Sequence, residues 1–185
     1  MGKLKYFLYF IVTVLTAIIY YRKSNTPNVE VPLIRAPTGD LSGYPQYTRK
    51  GRILHAYKGI PFVQPPVGKL RFKRPVPYEN KAWKGTFEAI NDVKKCVQFN
   101  LFGYADGTED CLQLNVYVPR LEKLEKLEKL PVMVWFFGGG LQLGDASQEF
   151  YGPGNLLDKD VILVIPNYRL NIFGFFVCSS CICCT

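Results

Sequence analysis

The segment WFFGGGLQLGD, Trp135 to Asp145, sets three consecutive glycines directly behind bulky apolar residues. Upstream of them, LPVMVWFF is a short, almost wholly apolar run led by valine and aromatic residues, with a charged stretch before it. A run of that kind, bounded by charge and by glycine, reads as a strand buried on both faces. Gly138, Gly139 and Gly140 carry no Cβ, reach backbone angles closed to other residues, and leave main-chain N–H groups approachable by a ligand. Two readings follow. One is a tight turn, which glycines alone favour because glycine is the commonest punctuation in any chain. The other is an oxyanion hole, in which unobstructed N–H donors at the top of a sheet await charge developing on a substrate oxygen. This segment by itself does not choose between them.

Composition bounds the class of molecule. At 185 residues, with 48% hydrophobic and 15% aromatic content, the chain suits one globular domain with a real core and not a disordered segment. The formal net charge of +8 raises nucleic acid as a partner, but the positive residues are scattered and form no basic stripe with interleaved aromatics, so that class is set aside. Lys3, Lys5, Arg22 and Lys23 flank one N-terminal apolar run, MGKLKYFLYFIVTVLTAIIYYRKSN, which is uncharged from Tyr6 to Tyr21. A positive start followed by an apolar stretch matches an export segment over residues 1–25. No small-x-small cleavage site follows it, and as a helix the uncharged run measures about 24 Å at ~1.5 Å per residue, short of a ~30 Å hydrocarbon core. Both a cleaved signal peptide and a signal anchor holding residues 4–21 at a membrane, with Lys5, Arg22 and Lys23 snorkelling, fit this pattern. Either places the remainder in the secretory pathway, secreted or membrane-anchored with the domain on the lumenal or extracellular side.

Beyond lies a Pro-rich connector, NTPNVEVPLIRAPTGDLSGY, in which TGDLSG reads as two turns around a short strand. GRILHAYKGIPFVQPPVGKLRFKRPVPYE then carries proline and glycine too often for any helix and predicts hairpins and loops. LEKLEKLEKL, Leu121 to Leu130, repeats every three residues, places its leucines around a helical cylinder without a seam, and reads as a solvated connection between two strands.

Five stretches occur in one order: YKGIPFVQPPVGKLRF (Tyr57–Phe72), CVQ (Cys96–Gln98), EDCLQLNVYVP (Glu109–Pro119), PVMVWFFGGG (Pro131–Gly140) and DKDVILVIPNYRLNIFGFF (Asp158–Phe176). The order and the wording of these motifs closely resemble the start of the type-B carboxylesterases, the family of carboxylesterases, cholinesterases, juvenile hormone esterases and the non-catalytic neuroligins. The details look most like an insect-type carboxylesterase, and the resemblance runs from about Val31 to Phe176. It implies an α/β fold class: the N-terminal part of an α/β-hydrolase fold, with early antiparallel strands and the first core strands of a mixed sheet, truncated. It also implies that Gly139 and Gly140 are the oxyanion-hole donors. Where the family usually has histidine before the three glycines, this chain has Phe137; cholinesterases have tyrosine there, so an aromatic is compatible with the donor geometry, although the hydrogen bonds of a histidine are lost. The resemblance further pairs Cys96 with Cys111 as the family's first disulfide, in keeping with an oxidising compartment, against the alternative of two buried free thiols. It pairs Arg71 with Glu109 as a structural ion pair, the alternative being two separate surface charges.

The departures bear on function. No GxSxG occurs anywhere in the sequence, so no catalytic nucleophile is present. The single histidine, His55, falls by the resemblance in an N-terminal strand far from a catalytic base, where it reads as a partly exposed strand residue. The sequence thus holds the family's oxyanion loop but no catalytic serine, acid or base, and amounts to roughly a third of a typical family domain. After NYRLNIFGFF the chain changes character to VCSSCICCT, where Cys178, Cys181, Cys183 and Cys184 have spacings open to metal or redox roles that we do not favour. The expected organisation is an export segment at 1–25, the N-terminal part of a carboxylesterase type-B domain at 26–177 and an atypical Cys-rich tail at 178–185. No cofactor and no metal are expected. The expected function is that of a truncated carboxylesterase whose family reaction is hydrolysis of small-molecule carboxylic esters through a serine acyl-enzyme, inactive as this chain alone. The alternative is a non-catalytic secreted or membrane-associated interaction protein, neuroligin-like or a decoy. Cutting a parallel sheet here leaves the last strand, Val161–Ile165, expected at an open edge.

Overall fold

A computed structural model describes residues 2–24, 30, 33–99, 103–120 and 129–176. It divides into two compact units, Met1–Glu30 and Val31–Thr185. The first holds helix α1 (Gly2–Ser24), in which every side chain from Lys5 to Tyr21 is exposed. The hydroxyls of Thr13 and Thr16 donate back to carbonyls one turn earlier, so the helix satisfies its own polar groups. Among the described residues no helix is long and apolar enough to cross a membrane.

The second unit is built on strands β1 (Ile34–Ala36), β2 (Gly39–Ser42), β3 (Tyr44–Tyr47), β4 (Ile53–Pro61), β5 (Thr86–Glu88), β6 (Gln98–Phe99), β7 (Ala105–Asp106), β8 (Gln113–Pro119), β9 (Val132–Val134) and β10 (Ile162–Pro166). Two short helices, α2 (Gln148–Tyr151) and α3 (Asn171–Phe175), complete it. The principal sheet runs β3-β4-β8-β10-β9, and a smaller one runs β1-β2-β5. Within the principal sheet the pairs β3–β4, β4–β8 and β8–β10 are antiparallel, while β10 and β9 are parallel. The sheet is therefore mixed, and with few helices it has the character of part of an α/β domain.

β8 shows why two cores form. Its burial alternates along QLNVYVP, with Gln113, Asn115, Tyr117 and Pro119 buried and the residues between them half-buried, as the two-residue period of a strand requires. Tyr117 joins Leu54, Ala56, Leu163 and Ile165 in the main core, whereas Leu114, Val116 and Val118 pack with Tyr57, Ile60 and Leu41 under the small sheet. On β4 the register shifts by one residue between Tyr57 and Ile60. This bulge changes the parity of the strand, so Tyr57 and Ile60 face the same core. Gly59 occupies it at φ +65°, and a Cβ there would come within 2.6 Å of the Asn91 carbonyl oxygen.

Three expectations are corrected. The apolar run before the glycines is not a strand buried on both faces: β9 spans only Val132–Val134, with all three residues exposed. Among the described residues it pairs with β10 alone and so lies at the edge of the sheet. For the same reason Val161–Ile165 is not the open edge; β10 is flanked on both sides, even though Pro166 ends it without a donor. His55 is buried and not partly exposed, flanked in the sheet by Pro45 of β3 and Val118 of β8. Most of LEKLEKLEKL (121–128) and the Cys-rich tail with Cys178, Cys181, Cys183 and Cys184 lie outside the described residues.

Candidate functional site

The chain leaves β9 at Val134 and enters the glycine loop through Phe137. This side chain is 3% exposed and stacks on Tyr168 with ring centroids 4.4 Å apart and on Tyr151 at 6.3 Å. An aromatic residue holds the loop entrance by packing, where a histidine would add hydrogen bonds. The Tyr168 hydroxyl donates to the Phe137 carbonyl at 2.6 Å, and burial, followed by the neighbouring Tyr151, pushes the Tyr168 pKa up so that it stays a donor.

From Gly139 the backbone folds into a turn, the N–H groups of Gln142 and Leu143 both donating to the Gly139 carbonyl at 3.1 and 3.2 Å. Asn171 then ties the far side: its N–H donates to the Leu141 carbonyl at 2.9 Å and its Nδ2 to the Gln142 carbonyl at 2.8 Å. Both Leu141 (φ +61°) and Asn171 (φ +53°) sit in the left-handed region, a strained choice for leucine. The carbonyls of Phe137, Gly139, Leu141 and Gln142 are thus all engaged, whereas among the described residues no acceptor meets the N–H of Gly139 or Gly140. Gly139 has φ +142°, and a Cβ on it would collide with the Leu143 carbonyl; Gly140 has φ +62° with open space around it. The turn and the donor pair are therefore features of one loop and do not compete.

A buried polar network holds the loop from behind. Asn115 is fully buried; it accepts from the Gly59 N–H at 2.9 Å and donates to the Asp92 carboxylate at 2.6 Å and the Ala146 carbonyl at 2.9 Å. Asn167 accepts from the Ala146 N–H at 2.8 Å and donates to the carbonyls of Lys94 at 2.7 Å and Cys111 at 3.0 Å. Asp92 also accepts from the Gln148 N–H at 2.8 Å, and Asp145 from the Ser147 N–H at 2.8 Å. Sequence reasoning missed these residues. The available signal was a polar residue at a core-facing position of an alternating strand, Asn115 in QLNVYV, since a buried amide is kept only where it is bonded.

The disulfide between Cys96 and Cys111 is formed, and both cysteines are buried in the main core beside Phe137 and Leu170. Arg71 and Glu109 form a two-pronged ion pair, Nε to Oε2 at 2.6 Å and Nη2 to Oε1 at 2.5 Å, and Glu109 raises the Arg71 pKa through that bond. Next to them Arg169 donates to the Lys73 carbonyl at 2.8 Å, with its own pKa lowered by burial. His55 belongs to the sheet, not to the loop; burial first and then Arg120 lower its pKa. Among the described residues no group of His, Cys, Asp or Glu side chains is placed to hold a metal ion.

Comparison with known proteins places this geometry. The profile of the carboxylesterase family matches residues 30–181. The chain is 46% identical over 147 residues to a juvenile hormone esterase of Tribolium castaneum, covering 78% of this chain and 24% of that protein. It is 40% identical over 154 residues to a carboxylic ester hydrolase of Bombus ignitus, covering 80% of this chain and 27% of that protein. It is also 40% identical over 160 residues to acetylcholinesterase 1 of Caenorhabditis elegans, covering 78% of this chain and 25% of that protein. The chain therefore spans about a quarter of the length of the curated relatives it matches. With its glycine loop, its disulfide and the matched span all falling in the same stretch, the chain belongs to the carboxylesterase family.

Proposed function

We propose that these residues supply the oxyanion-stabilising part of a carboxylic ester hydrolase that works through a serine acyl-enzyme. One observation carries the reading: the loop is tied down at the carbonyls of Phe137, Gly139, Leu141 and Gln142, and the solvent-facing N–H groups of Gly139 and Gly140 meet no acceptor among the described residues. When a nucleophile attacks an ester carbonyl, the oxygen becomes an oxyanion, and donors fixed beforehand lower the barrier by roughly 3 to 4 kcal/mol, or about 100 to 1000-fold. Gly139 and Gly140 would do this. The attack itself needs a serine activated by a histidine and an acid, and the 185 residues contain no GxSxG. We infer that this chain alone turns over no ester.

The charged and apolar start of the chain, with the formed disulfide, supports entry into the secretory pathway and a lumenal or extracellular domain. The proposed organisation is an export segment at 1–25, the family domain at 26–177 and the tail at 178–185. A non-catalytic interaction protein is the second reading, favoured by the exposed apolar strip of Val132, Met133, Val134, Trp135 and Phe136.

The test has two arms. The 185-residue chain should hydrolyse no p-nitrophenyl ester above background and take up no fluorophosphonate probe; labelling of any serine refutes the inactivity. Residues 31–176 should also be exchanged for the matched quarter of the Tribolium castaneum juvenile hormone esterase. That chimera should hydrolyse esters, and Gly139→Ala in it should lower kcat by about 100 to 1000-fold. A folded but inert chimera favours the interaction reading, and an active one indifferent to Gly139→Ala removes the oxyanion assignment.

A further inference from the structure

Gln98 ends the CVQ motif and has no part in the reading above. It is buried on β6, and its side-chain amide is fully used. Nε2 donates to the carbonyls of Cys96 and Gly144, both at 3.0 Å, and Oε1 accepts from the Gly144 N–H at 2.9 Å. An amide that bonds both the N–H and the C=O of one residue imitates a strand partner and fixes that peptide in position and orientation.

Gly144 is the return limb of the glycine loop, and it lies against the outgoing limb. A Cβ built on Gly144 would stand 2.8 Å from the Phe137 ring and 3.0 Å from the Gly138 carbonyl oxygen. A displacement of Gly144 is therefore transmitted directly to the peptide that precedes Gly139. The other ties, from the Tyr168 hydroxyl and from the backbone N–H and side chain of Asn171, come from the segment just after β10 and hold Phe137, Leu141 and Gln142. Gln98 approaches from a different part of the chain and stands beside Cys96, so it links the loop to the disulfide-bonded core.

We infer that Gln98 is a positioning residue for the oxyanion donors: by clamping Gly144 to the Cys96 backbone it holds the Gly138–Gly140 limb in its donor geometry. This rests on the oxyanion reading of Gly139 and Gly140, but its test reads loop order and not hydrolysis. Local openings of such a loop set its amide exchange, and losing a clamp of several bonds raises their frequency on the order of tenfold or more.

The experiment is amide hydrogen exchange with mass-spectrometric readout on the full 185-residue chain, disulfide intact, comparing peptides over 138–146 with peptides over β8. In Gln98→Ala the loop peptides should exchange at least about tenfold faster while β8 is unchanged. Gln98→Glu keeps an acceptor for the Gly144 N–H but turns a carboxylate toward two carbonyls; its loop should be as fast as in Gln98→Ala at neutral pH and recover protection relative to β8 as the carboxyl protonates. The inference is overturned if Gln98→Ala leaves the loop unchanged, if loop and β8 accelerate together, or if Gln98→Glu protects the loop equally at both pH values. None of these outcomes bears on whether Gly139 stabilises an oxyanion, which the chimera decides.

Discussion

Replacing Asn167 by alanine should be among the most damaging single changes in this chain, and the structure shows why. The side chain is 2% exposed and makes three hydrogen bonds of 2.7 to 3.0 Å. Truncation removes all three, but the consequences differ. The Cys111 carbonyl still accepts from the Gln113 N–H at 2.8 Å. The Ala146 N–H and the Lys94 carbonyl have no second partner among the described residues; the first becomes a buried orphan and the second a part-buried one. At about 1 to 3 kcal/mol for the first and anything up to as much again for the second, the loss is roughly 1 to 6 kcal/mol, against typical domain stabilities of about 5 to 15 kcal/mol. With a urea slope of about 2 kcal/mol per M, the midpoint should fall by roughly 0.5 to 3 M. Urea titration at low protein concentration, followed by fluorescence of Trp83 and Trp135, measures this. Asn167→Asp sharpens it: the acceptor for Ala146 survives while a carboxylate faces two carbonyls, so this variant should recover stability as the carboxyl protonates. A midpoint for Asn167→Ala within about 0.3 M of wild type, at unchanged slope, would show that water or relaxation satisfies the orphans and that the network does not hold the loop.

Two further outcomes are expected. Cys96→Ser with Cys111→Ser opens a loop of sequence separation 15 and should cost about 3 kcal/mol in the chain-entropy account; non-reducing peptide mapping of the wild-type chain should yield the Cys96–Cys111 peptide pair, and a bridge from Cys96 to any tail cysteine would contradict the structure. His55 carries a pKa lowered from 6.5 by burial and then by Arg120, so the unfolded chain binds a proton that the folded chain resists. The stability this represents is present above about pH 6.5 and lost as the pH falls toward the folded value, with a slope of at most about 1.4 kcal/mol per pH unit. As the chain has one histidine, His55→Gln should flatten the dependence between about pH 5 and 7, and an unaltered slope would assign it elsewhere.

Much of this site was legible in sequence because it is written locally. The order of the motifs around Tyr57, Cys96, Glu109, Pro131 and Asp158 identified the family, and glycine at 139 answers to a local demand, a backbone angle and a carbonyl that exclude a Cβ. Whatever depends on partners distant in the chain was not legible. The apolar run at Val132–Val134 has the composition of a doubly covered strand, but its burial depends on the crossover that puts β10 between it and β8. His55 looked half-exposed because alternation says nothing about the neighbours that pairing with β3 and β8 sets beside it. Asn115, Asn167 and Gln98 were silent for a further reason: an amide earns its place only where carbonyls and N–H groups from elsewhere converge, and that convergence is a property of the folded chain.

The loop's asymmetry is the physical centre of the functional reading. A backbone N–H left unbonded inside a protein is costly, and natural folds rarely tolerate one. Two adjacent ones are tolerated here because Gly140 is exposed and Gly139 half-exposed, so water can satisfy the donors; under the proposed function a substrate oxygen would take that water's place. The same exposure would let the loop wander, which would disperse the donors. Hence the carbonyl side is fastened at Phe137, Gly139, Leu141, Gln142 and Gly144 by Tyr168, the turn itself, Asn171 and Gln98. The N–H groups of Gln142, Leu143 and Gly144 are likewise bonded within the protein, whereas those of Gly139 and Gly140 meet no acceptor among the described residues. Leu141 takes a strained positive φ in that arrangement, and Asn171 one that asparagine tolerates. On the proposed reading the N–H groups of Gly139 and Gly140 are the donors that a negative charge arriving in the loop would meet, while the positive φ of Leu141 belongs to the turn itself.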